Sequence, residues 1–156
     1  MRGCTELVAR LLVLASLTAT ACASRRPPTV AGGVPGGIDA FVASHPLAAG
    51  QPLRADEVGR TAAASYHIVQ VHGAESPHRH RSHDLAVFVL RGEGVLTLDG
   101  TPIPLRAGDA ALVARDRVHW FARRGAETAV ALVVFTPALD AADTVPASVD
   151  AIPGRQ

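Results

Sequence analysis

Between Ser65 and Phe135 the chain meets a turn signal roughly every 8 to 12 residues, and the runs between signals are short and rich in apolar and β-branched residues. Ser65–His72 alternates, setting Tyr66 and Ile68 against His67, Val69 and Val71. Leu85–Leu90 is almost continuously apolar, the pattern of a strand buried on both faces. Gly92-Glu93-Gly94 turns the chain into Val95–Leu98, and Asp99-Gly100 is a two-residue hairpin signal because both residues tolerate positive φ. Leu105 leads to a turn at Gly108-Asp109, followed by Ala110–Ala114, Val118–Ala122 and the apolar run Ala129–Phe135. About seven or eight strands so spaced predict an all-β domain, a single antiparallel barrel or sandwich. Upstream the pattern is mixed. Ile38, Phe41 and Val42 share one helical face that stops before His45-Pro46, so a short N-terminal helical segment precedes the sheet.

A length of 156 residues accommodates one such domain with a targeting segment and tails. The formal charge of +1 gives no electrostatic reason to expect nucleic acid or an anionic membrane as partner. Aromatic residues are scarce, so Val and Leu must fill the core. The two cysteines, Cys4 and Cys22, both lie ahead of the domain. An internal disulfide, a thiolate metal site and a cysteine nucleophile are therefore excluded there, and any metal must be held by histidine and carboxylate.

Residues 1–23 read as a secretory signal, with Arg2 and Arg10 flanking an apolar run at Leu11–Leu17 too short to span a bilayer comfortably. Ala19-Thr20-Ala21-Cys22 resembles a lipobox, which would make Cys22 the lipidated first residue of an exported lipoprotein, periplasmic or anchored to the outer membrane; ordinary cleavage after Ala21 or Ala23 is the alternative. Residues 24–37, rich in Pro and Gly, read as a flexible linker, 38–137 as the folded domain and 138–156 as a tail that wraps the domain edge or stays loose.

The chemistry rests on histidines. His72, His78, His80 and His83 cluster mid-chain and His119 follows on another strand. An i, i+2 pair on a strand puts both imidazoles on one face, which suits His78 and His80 as two ligands of one ion. The competing reading is a solvated basic loop, since Arg79 and Arg81 interleave with them; strand alternation separates the two, with histidines facing in and arginines out.

The run from Gly73 through His78-Arg79-His80 to Gly92, and that from Gly108 through His119 to Arg123, together resemble the two motifs of the cupin superfamily, with fifteen residues between Gly92 and Gly108. The resemblance covers about Ser65 to Pro137 and implies a cupin jelly roll carrying a divalent transition metal such as Fe, Zn, Mn or Ni. It implies His78, His80 and His119 as ligands. The family's acidic position falls on Leu85 when counted from Gly92, with Asp84 its neighbour. Two sites remain open: three histidines alone, or those three with Asp84, or His83, as a fourth ligand. In the second motif the Pro, Gly and Asn positions hold Ala114, Asp116 and Arg123, which shape turns and ligate nothing. His67 and His72 read as rim histidines and Glu75 as a solvated turn acid.

Three functions fit: a metal-dependent oxygenase or isomerase acting on a small, mainly apolar or aromatic molecule; a non-enzymatic envelope lipoprotein that binds or senses a metal or small ligand; and a structural cupin that has lost its metal. Homodimerisation through an edge strand is a further expectation, because Val130–Phe135 needs a neighbour or a cover.

Overall fold

The computed structural model describes residues 36–148. The expected signal, lipobox and all but the end of the linker lie outside them. One short helix, α1 (Gly37–Ser44), is followed by ten strands: β1 (Leu53–Arg60), β2 (Ser65–Val71), β3 (His78–His80), β4 (Asp84–Arg91), β5 (Glu93–Leu98), β6 (Thr101–Arg106), β7 (Ala110–Val113), β8 (His119–Arg124), β9 (Ala129–Thr136) and β10 (Thr144–Pro146). They form two five-stranded antiparallel sheets, ordered β1-β2-β9-β4-β7 and β10-β3-β8-β5-β6. The fold is thus an all-β jelly roll of two facing sheets; the hydrogen-bonded ladders do not run on into one closed sheet.

Alternation sets what each sheet presents to the interior. On β4, Leu85 and Val89 are buried and join Leu96, Leu105, Val113, Val133 and Phe135 in the main core, with Val87 packed against it. On the outer face of the same sheet, Ile38 of α1 meets Ile68 and Val130, with Phe41, Val42, Val58, Leu90 and Leu132 around them. The helix stays there because Asp39 pairs with Arg91 (2.9 Å) and the buried Gln70 side chain donates to the His45 carbonyl (2.8 Å) just past its end. Eight residues span only about 12 Å. That length covers the Leu90 end of β4 and leaves Phe88 42 % and Leu112 79 % exposed, so the strand expected to be buried on both faces is half-covered on one.

Two glycines are required by close packing. Gly92 (φ 72°), between β4 and β5, has the Ala129 backbone where a Cβ would lie, 2.9 Å away. Gly94 lies under the ring of Phe121, into which any Cβ would drive. The Asp99-Gly100 hairpin forms as its sequence demands, with both residues at positive φ, and the Asp99 carboxylate accepts from the Val118 amide (2.9 Å).

Candidate metal centre

β3 is three residues long, and its alternation is the simplest local reason for the site. His78 and His80 turn inward while Arg79 turns away to pair with Asp116 (3.3 Å). Antiparallel pairing of β3 with β8 then sets His119 directly opposite His78. The three imidazole centroids lie 5.2 Å (His78–His80), 4.4 Å (His78–His119) and 5.5 Å (His80–His119) apart. One ligand-type atom from each ring falls within 4.8 Å of the others. Nitrogens sharing one ion at about 2.1 Å can be no more than about 4.2 Å apart, so atoms at the outer limit of that spread would have to close by roughly half an ångström to share one.

The second nitrogen of each ring is already committed. His78 Nδ1 donates to the Ser76 carbonyl (2.9 Å), His119 Nδ1 donates to the Arg117 carbonyl (2.9 Å), and His80 Nδ1 faces the Thr144 hydroxyl (3.4 Å). A carbonyl only accepts, so it holds the proton on Nδ1 and leaves Nε2 with its lone pair free, the tautomer a metal ligand needs. Burial, assisted by His119 and His78, pushes His80 down to about 4. Burial also pushes His119 down to about 4, against the Arg117 carbonyl, which favours the charged ring. These two imidazoles are neutral near pH 7 and open to a cation.

The histidines form one polar end of a cavity of about 520 Å³ between the sheets. Its walls are mainly apolar, formed by side chains such as Val69, Leu85, Val87, Leu96, Phe121 and Val133. Leu85, at the motif's acidic position, is therefore a wall residue. Asp84 is not brought to the cluster. It faces out, 46 % exposed, and binds the Arg115 side chain (2.6 Å) and amide (2.8 Å), which pull its carboxyl down to about 2. One step along a strand reverses the face, and no bulge re-aims it.

His83 is held elsewhere. Its Nδ1 meets the half-buried Asp143 carboxylate at 2.5 Å, and its Nε2 lies 3.2 Å from the Ala138 carbonyl. Asp143 also accepts from the Ser82 amide, and this contact docks the tail, whose Thr144–Pro146 strand pairs with β3 and delivers Thr144 to His80.

His67 and His72 are five residues apart and so lie on opposite faces: His67 lines the cavity, while His72 is exposed and bonds Thr128 (3.0 Å). Glu75 is not a solvated acid. Its amide donates to the Phe121 carbonyl (2.9 Å) and its Oε2 accepts from the Phe121 amide (2.8 Å), which tucks the side chain into the cavity lining on the side of His119. Burial pushes its carboxyl above the usual carboxylate range, opposed by nearby His78 and the Phe121 amide. Only the pairing of Glu75 with Phe121, 46 positions away, makes this residue interesting.

Residues 65–135 match the family model described as a cupin domain. An uncharacterized protein of Aquifex aeolicus is 36 % identical over 89 residues, 57 % of this chain and 73 % of that protein. The chain belongs to the cupin superfamily. Among solved structures, this cupin resembles KdgF from Halomonas sp. (TM-score 0.53, 24 % identity, 57 % of this chain and 82 % of that one). It also resembles the nucleoside dehydratase Pac13 (TM-score 0.53, 19 % identity, 65 % and 86 %), which is from Streptomyces. At such identities these neighbours speak for the fold alone.

Proposed function

We propose that this cupin holds a divalent transition metal on His78, His80 and His119 and acts on a small, mainly apolar molecule admitted to the adjoining cavity. The observation that carries the reading is the convergence of one ligand-type atom from each of three imidazoles at one end of the chamber, with backbone carbonyls holding the proton on Nδ1 of His78 and His119 and so leaving their Nε2 lone pairs free. A bound ion would supply Lewis acidity there, with coordination positions that these side chains leave open. The apolar walls exclude bulk water from whatever is bound. Glu75, one oxygen occupied by the Phe121 amide, offers the other to a proton of the bound molecule, which favours an isomerase-type proton transfer over an oxygenase.

Equilibrium dialysis with elemental analysis tests the core of this. About one ion per chain is expected, with occupancy lost in H78A, H80A and H119A. Unchanged occupancy in all three variants would falsify the site. Metal binding with no deuterium exchange into any carbonyl compound of a broad panel would return the second reading, a sequestering or sensing module. Export and lipidation at Cys22 are part of the proposal and rest on the sequence; C22A should move the protein from the membrane to the soluble fraction of cells.

A further inference from the structure

His67 has no part in the metal centre, yet it is 8 % exposed and faces the same cavity. Phe135 stands between it and His80, edge-on to both with centroids 5.1 Å from each, which caps the distance between the two imidazoles at twice that length. The state of His67 follows from Ser65. That hydroxyl is fully buried and accepts the Leu139 amide (2.9 Å), so its own hydrogen needs an acceptor. Among the described residues the partner it has is His67 Nε2, at 2.9 Å. The Glu57 carboxylate is 3.9 Å from the same nitrogen, beyond a hydrogen bond, and is held by Arg60. Nε2 therefore accepts, and the ring proton sits on Nδ1. Burial keeps the ring neutral by pushing it below the ordinary histidine value. Nδ1–H is then a donor in an apolar wall with no hydrogen-bond acceptor among the described residues.

We infer that His67 is a specificity-determining residue, whose Nδ1–H donates to an oxygen acceptor on the part of the ligand remote from the metal. The ligand class is an oxygen compound with a metal-coordinating group at one end, a flat or apolar body along Phe135, and a second carbonyl, carboxylate or ether oxygen at the far end. Such a donor selects against an analogue that lacks that oxygen, because the bound analogue shuts water out of the wall and leaves the donor unmet. The inference deepens the metal reading for one end of the ligand; the tautomer of His67 stands without it.

Two measurements test it. In the metal-free protein, long-range ¹H–¹⁵N spectra of the histidine rings should show His67 protonated at Nδ1, and a proton on Nε2 overturns the assignment whether or not a metal binds. In Co(II)-loaded protein, 4-acetylbenzohydroxamate should bind about fivefold tighter than 4-isopropylbenzohydroxamate, as one hydrogen bond allows. H67F should abolish that preference at unchanged Co(II) affinity, and H67Q, which keeps an N–H donor, should restore part of it. Equal binding of the two probes to the wild type, or a preference that survives in H67F, overturns the proposal. Failure of the wild type to take up Co(II) strikes the metal reading instead, and the tautomer spectrum then decides His67 alone.

Discussion

The cluster of His78, His80 and His119 and the buried His83, three positions past His80, do opposite things. In the cluster of His78, His80 and His119 each ring spends one nitrogen on a neutral oxygen and keeps the other. His83 has both nitrogens engaged, one by the Asp143 carboxylate and one near the Ala138 carbonyl. What separates them is not burial or proximity but an accessible lone pair, which a metal ligand must offer and His83 does not. The first group is a grip and the second a clasp that fastens the tail across β3.

Acid separates them most strongly. His80 and His119 titrate near 4 in the fold against about 6.5 in an unfolded chain. Between those values the unfolded chain binds more protons. The metal-free protein should lose stability as pH falls from about 6.5 to 4, by on the order of 3 kcal/mol for each ring, and below that the rings add no further loss. Urea midpoints across that range check it, and a flat profile would show the rings are not buried neutral.

Substitution sharpens the contrast. H80A and H119A should weaken Co(II) binding by more than the roughly 10- to 100-fold typical of residues that merely orient a ligand, whereas H83A should fall within that smaller range, through the slackened Thr144 contact to His80. Isothermal titration settles this, and equal losses in H80A and H83A would erase the distinction. H83A should instead destabilise the fold by about 1 kcal/mol, since the half-buried Asp143 carboxylate loses the imidazole and keeps only the Ser82 amide, and tail proteolysis should accelerate. The smallest effect belongs to Asp84. D84N breaks an exposed pair with Arg115, so neither metal affinity nor the unfolding midpoint should move measurably.

These contrasts were unequally legible in the sequence. The i, i+2 spacing of His78 and His80 and the outward parity of Asp84 follow from the strand period, and the structure keeps both. Strands from Ser65 onward announced themselves through turn residues and β-branched runs. β1 did not: Leu53–Arg60 alternates small or charged residues whose inner face carries too little apolar signal to stand out. The Ala141–Asp143 turn and β10 owe their place to Asp143 meeting His83, 60 positions earlier, a contact without local trace. Glu75 and His67 acquire meaning only from what lies across the sheet, Phe121 for one and Ser65 with Phe135 for the other.

The Phe121 ring rests on the bare backbone of Gly94, with the Ala122 carbonyl oxygen close behind. The missing side chain at position 94 is what lets Phe121 lie flat where it lines the chamber. Any side chain there would strike both the ring and that carbonyl, so the aromatic plate walling the chamber keeps its seat only while residue 94 carries none.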